Sequence, residues 1–181
     1  IGPSLGQDSV TKSVRAGIIG LVVVLLFMLV HYRLPGLLSD FSLVIYALIT
    51  LALYKLIPVK LTLPGIAGFL LSVGMAVDAN VLIFARMRDE VGAGKTVGAA
   101  TSAGFKKAFR AVFDCNMTTI ITAIILFWAA SGGIKGFALT LGVGVALSMF
   151  TAVLVTRSML TLLSGWKPFR IAICRTTDRA A

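Results

Sequence analysis

LPGIAGFLLSVGMAVDANVLIFARMR, from Leu63 to Arg88, carries a single charged residue, Asp78, between Pro64 and Arg86. The run from Leu63 to Ala85 exceeds the ~20 apolar residues needed to cross ~30 Å of hydrocarbon. Pro64 suits the first turn of such a helix, where a missing N–H costs nothing. Asp78 stands fourteen residues after Pro64 and eight before Arg86, hence ~21 Å from one end and ~12 Å from the other at ~1.5 Å per residue. An aspartate at that depth costs roughly 2.5–3.5 kcal/mol on insertion scales.

Outward from this run, four more apolar stretches are expected to span, near 14–32, 37–57, 116–131 and 136–164. Leu34-Pro35-Gly36, Ile57-Pro58, Ser131-Gly132-Gly133 and Gly165-Trp166-Lys167-Pro168 punctuate them. The chain of 181 residues is 58% hydrophobic and 13% charged, against about 25% charged for a soluble domain. The expected fold is an all-α membrane bundle of five transmembrane helices over 14–165, preceded by the end of an exported region at 1–13 and followed by a basic cytoplasmic tail at 166–181.

One stretch, Thr96 to Phe113, is amphipathic. Val97, Gly104, Phe105, Ala108, Phe109 and Val112 share a face, opposite Ser102, Lys106 and Arg110, with Lys107 beside them. Next to membrane spans this reads as an interfacial helix at 96–113 on the cytoplasmic surface, with Lys106, Lys107 and Arg110 toward anionic lipids. A calmodulin-type target helix has the same pattern, and the membrane context favours the lipid surface.

The net charge of +10 resides in short clusters between apolar runs. No basic stripe interleaved with exposed aromatics points to nucleic acid. Arg33, Arg86, Arg88, Lys95, Lys106, Lys107, Arg110, Lys167, Arg170, Arg175 and Arg179 fall on one side, against Lys12, Arg15, Lys55, Lys60 and Lys135 on the other. The positive-inside rule puts the first side in the cytoplasm and the N-terminus of this chain outside. With no signal sequence ahead of an outside start at Ile1-Gly2-Pro3, a longer parent protein with an upstream span is expected. Cys115, Cys174 and His31 read as packing or surface residues, and no metal set, nucleotide loop or nucleophile–base pair is present in the sequence.

The stripe Ala67, Leu71, Gly74, Asp78, Val81, Leu82 and Ala85 is expected to face a bundle or a partner, with Gly74 admitting close helix packing. Asn80 is a second polar group nearby on another face. Cys115, Thr118, Thr119 and Thr122 share a face of the fourth span, either with the hydroxyls bonded to their own helix or lining a wet path with Asp78. Asp114 is placed to cap that span. Asp78 itself reads either as structural glue or as a group that binds and releases a proton.

Gly74-Met75-Ala76-Val77-Asp78-Ala79-Asn80-Val81-Leu82-Ile83-Phe84-Ala85-Arg86-Met87-Arg88-Asp89-Glu90 resembles the signature segment of the SecD family, with Ala85 where the family usually has Glu. Ile1-Gly2-Pro3-Ser4-Leu5-Gly6, Asn116-Met117-Thr118-Thr119 and Gly133-Ile134-Lys135-Gly136-Phe137-Ala138 resemble further family segments. The resemblance, to the membrane portion of SecD in the SecD/SecF family of the resistance-nodulation-division superfamily, covers about residues 1–165. It implies a subunit driven by the proton motive force that assists preprotein translocation through SecYEG, with SecF and YajC as partners. Protons would be the coupling ion, with no other cofactor, in the bacterial inner membrane. The chain would carry the second to sixth spans, without the first span and the exported domain. The family's proton-pathway aspartate maps onto Asp78. A proton-coupled lipid or drug exporter of the same superfamily, or a structural channel-stabilising subunit, are the alternative readings; none is an enzyme.

Overall fold

Thr62 and Pro64 set the start of the central helix. Thr62 is extended (φ −81°, ψ 164°), its hydroxyl oxygen accepts the Gly65 N–H at 3.3 Å, and Pro64 sits in the first turn. The computed structural model describes residues 3–32, 34–57 and 62–163. Its elements are α1 (Pro3–Tyr32), α2 (Leu34–Leu56), α3 (Leu63–Gly92), α4 (Val97–Ala129), α5 (Gly133–Thr151), a π turn (Ala152–Thr156) and α6 (Arg157–Leu163). Five of the helices, α5 counted with its continuation, are long and apolar enough to cross a membrane. The described residues contain no strand, so the bundle is all-α, as the apolar runs predict. The expected tail at 166–181, with Trp166 and Cys174, lies outside the described residues.

Small residues hold the centre together. Gly68, Ser72 and Ala76 recur every fourth residue on α3, and Thr140, Gly144 and Ser148 do so on α5. A Cβ on Gly68 would come within 2.8 Å of the Phe137 carbonyl oxygen, and one on Gly144 within 2.6 Å of the Ser72 Cβ. Lipid offers no hydrophobic drive between helices, so close approach and interhelical hydrogen bonds supply the association. Thr140 Oγ1 donates to the Gly65 carbonyl at 3.0 Å, the Tyr54 hydroxyl donates to the Thr140 carbonyl at 2.7 Å, and Tyr46 Oη donates to Ser72 Oγ at 2.8 Å. Met28, Tyr32 and Leu43 join Ile83, Phe84 and Met87 in the core. Most of α1 is turned outward, with Ile18, Ile19, Val23, Leu26 and Phe27 all exposed, the pattern of a lipid-facing helix.

At the far end, α3 turns into α4 through Ala93–Thr96, where Gly94 adopts φ +84°. Gly104 lies against the backbone of Met87, where an added Cβ would stand 2.8 Å from the Met87 Cα. Glu90, its side chain 5% exposed, is ion-paired to both Lys95 and Lys107 and ties the turn to both helices.

The stretch 96–113 is helical and amphipathic as expected, but it is no separate interfacial helix. It runs without a break into the fourth span as α4, because neither proline nor glycine interrupts Phe105 to Ala129. Val97, Gly104, Phe105, Ala108 and Val112 are buried within the bundle, so this apolar face is covered by protein. Asp114, read as a helix cap, is exposed in mid-helix, and its carbonyl accepts from Thr118 Oγ1 at 3.0 Å.

Candidate functional site

Asp78 is exposed on the described chain. Successive turns of α3 put Ala67, Leu71, Gly74 and Asp78 on one outward stripe, while the small residues that meet α5 occupy the opposite side. The expectation that Asp78 faces into a bundle is therefore corrected for this chain's own bundle: the core side of α3 is filled by Ser72, Val73, Ala76, Val77, Ala79 and Asn80. Gly74 is exposed too, and no atom lies within 4 Å of where its Cβ would be. It packs against no helix among the described residues, and it borders an apolar groove of about 500 Å³ between α1 and α3.

On its α4 side Asp78 borders a cleft of about 110 Å³, walled by Met75, Ala79 and Leu82 from α3 and by Ala111, Val112, Cys115 and Asn116 from α4. Thr118, Thr119 and Thr122 are not among its walls. Their hydroxyls donate to the carbonyls of Asp114, Cys115 and Thr118 at 3.0, 3.2 and 2.9 Å. Of the two readings of this face, the structure gives self-satisfied hydroxyls, since each donor finds its carbonyl one turn back. Cys115, the first residue of that face, does reach the cleft.

Asn80 is not brought to Asp78 either. It is 3% exposed on the core side, where its Oδ1 accepts from Thr156 Oγ1 at 3.0 Å, and Thr156 lies 3.0 Å from Ser42 Oγ. Two residues along a helix is a rotation of about 200°, which separates the two side chains. The Thr156 end of this seam belongs to the π turn that interrupts α5 and α6.

Of the basic trio, Lys106 and Arg110 are exposed on α4, whereas the Lys107 ammonium is engaged by Glu90. Arg86 pairs with Asp89 at 3.3 Å in an exposed contact, of a kind that contributes little to stability. Three residues escaped the reading of the sequence. Glu90 figured only as the last residue of the family segment, yet it holds both Lys95 and Lys107. Arg157, inside the fifth apolar run, stacks its guanidinium over Phe105 at 5.4 Å. Asn116 figured only as part of a motif, yet it is 3% exposed and its Nδ2 has no hydrogen-bond partner among the described residues.

Comparison with known proteins fits this geometry. Residues 1–166 match the sequence profile of the family described as "Protein export membrane protein SecD/SecF, C-terminal". The protein translocase subunit SecD of Dehalococcoides mccartyi (strain VS) is 55% identical over 172 residues, covering 92% of this chain and 38% of that protein. That of Synechocystis sp. is 55% identical over 163 residues, 90% of this chain and 34% of its own length. The chain thus spans about a third of these relatives. The crystal structure of SecDF, a translocon-associated membrane protein from Thermus thermophilus, superposes with a TM-score of 0.87 at 36% identity, over 91% of this chain and 23% of that one. SecDF in its super-membrane-facing form gives 0.84 at 35%, over 90% and 22%. With nearly its whole length matched in sequence and in fold, the chain belongs to the SecD/SecF family of protein export membrane proteins.

Proposed function

We propose that this chain is the membrane portion of a SecD subunit that uses the proton motive force to assist preprotein translocation through SecYEG, and that Asp78 carries the proton. The observation that supports this reading is the position of Asp78: a carboxyl group at membrane depth, on the outward stripe of the central helix, beside the open Gly74. A carboxylate left against lipid is costly, so a further helix is needed to cover it, and SecF is the partner that the family name suggests. The eleven-to-five distribution of Lys and Arg supports a cytoplasmic turn between α3 and α4 and an outside N-terminus in the inner membrane. The exposed Lys106 and Arg110 then face the anionic leaflet. YajC is a further candidate partner.

In this mechanism Asp78 takes a proton from one side, loses its charge and lets α3 repack against SecF. Release of the proton to the other side restores the carboxylate. Carrying one charge across 100 mV is worth ~2.3 kcal/mol, enough to bias a bundle with two arrangements. The test is gradient-stimulated preprotein translocation by the full-length parent with SecF and SecYEG, wild type against Asp78→Asn. Loss of the stimulation with normal assembly is expected; unchanged stimulation would leave Asp78 as structural glue.

A further inference from the structure

Between α5 and α6 the chain carries one residue too many for a regular helical turn. The Arg157 N–H reaches back five residues to the Ala152 carbonyl, where an α-helix would use the Val153 carbonyl four back. The insertion sets a phase. In a straight helix turning ~100° per residue, Thr156 would stand ~80° and Leu160 ~120° from the direction of Ser148. With one residue absorbed in the π turn, both fall within ~20° of it, and all three are buried. The turn therefore decides what the end of this helix presents to the bundle: Thr156 to Asn80 and Ser42, and Arg157 to Phe105.

The turn is loosely fastened. Thr151, Val153, Val155 and Thr156 are β-branched, a type that loses side-chain freedom in a helix. A void of about 10 Å³ lies against it, between Ser42, Asn80, Ser148, Thr151 and Ala152, about the size of one water, so the seam has slack. The flanks are held differently: α5 is interlocked with α3 at Gly68 and Gly144, whereas α6 meets α4 where Arg157 lies over Phe105. Asn80, which anchors Thr156, stands two residues from Asp78 on α3.

We propose that the π turn is a register joint between α3 and α6. In the first register the Arg157 N–H holds the Ala152 carbonyl and Thr156 holds Asn80. In the second, the extra residue is passed on into α6, the Arg157 N–H moves to the Val153 carbonyl, and α6 turns by about 100° about its axis. Thr156 then leaves Asn80, and the guanidinium leaves Phe105. A shift of α3 that withdraws Asn80 favours the second register, so movement at the level of Asp78 is passed to α6. That last link rests on the reading of Asp78 as the proton carrier; the two registers do not.

Deleting Leu154, whose side chain is exposed, removes the extra residue. The Ala152 carbonyl then lies four back from Arg157, and Thr156, Arg157 and Leu160 keep their faces in a plain α-helix. Amide hydrogen exchange is followed on the full-length protein assembled with SecF in lipid nanodiscs, and gradient-stimulated translocation is measured with SecYEG. In the wild type, the amides of 153–160 are expected to exchange at least tenfold faster than those of 138–148. The deletion should slow them at least tenfold and cut gradient stimulation at least threefold. Thr156→Val, which keeps the shape and removes the tie to Asn80, should speed exchange at least threefold, and it decides the matter if the deletion variant does not assemble. Exchange across 153–160 as slow as in α5, a rate indifferent to Thr156→Val, or full gradient stimulation of the deletion variant would overturn the proposal. A strong Asp78→Asn defect beside a fully stimulated deletion variant sinks this inference alone. A silent Asp78→Asn beside an impaired deletion variant sinks the proton-carrier reading instead.

Discussion

Asp78 and Asn80, two residues apart on α3, serve opposite sides of the helix: the carboxyl group is exposed, and the amide is 3% exposed within a seam to Thr156 and Ser42. A helix with both sides polar in a membrane needs two different kinds of satisfaction. One is built into the chain, and the other leaves the carboxyl group on the outward side of α3.

Substitution should separate the two sides. Asn80→Ala removes one of the two partners of Thr156 in the buried seam and leaves it Ser42 Oγ, and loss of one such hydrogen bond costs about 0.5–1.5 kcal/mol. The purified protein should lose that much stability in denaturant titration, whereas Asp78→Asn should leave stability within about 0.5 kcal/mol, the usual range for exposed substitutions. Equal losses would contradict the assignment of sides.

The glycines give a second contrast. At Gly68 an added methyl meets the Phe137 carbonyl oxygen at 2.8 Å, and such overpacking costs typically about 1–3 kcal/mol. At Gly74 nothing stands within 4 Å, so Gly74→Ala should hold or gain up to about 1 kcal/mol in helix propensity in the isolated chain. If a SecF helix packs on that stripe, Gly74→Leu should nonetheless weaken co-purification with SecF. Undiminished recovery would place the partner elsewhere.

Leu71 shares the stripe and is 50% exposed. A Leu71→Cys variant should react readily with a lipid-soluble maleimide when the protein is produced alone and should be protected several-fold when SecF is co-produced. Leu26→Cys on α1 should not change. Equal reactivity in both preparations would argue against a partner over Asp78.

Glu90 offers a check on the far end. Its two lysine partners come from the turn and from α4, so Glu90→Gln should speed amide hydrogen exchange across 93–100. Lys107→Met alone should do so less, because Lys95 remains on the carboxylate.

The five helices were legible because apolar runs of membrane length leave the backbone no alternative to helix. Asp78 was legible because a charge in such a run is expensive. What covers each face was not. The apolar side of 96–113 suited a lipid surface as well as it suits α3, and the burial of Val97, Phe105, Ala108 and Val112, with Gly104 against Met87, decides between them. Small residues lie on both sides of α3, so Gly74 was read as the packing glycine, whereas the one that α5 meets is Gly68. Asn116 follows Asp114 and Cys115 where a helix start was expected, which hid its position inside a continuous helix facing Asp78.

The interlock of Gly68, Ser72 and Ala76 with Thr140, Gly144 and Ser148 has a mechanical corollary. Backbones in such close register cannot slide past one another without colliding, so α3 and α5 must travel as one rod. Any displacement of α3 is therefore delivered to both ends of the α3–α5 pair at once, and the give has to come from the looser seams beside α1 and α2.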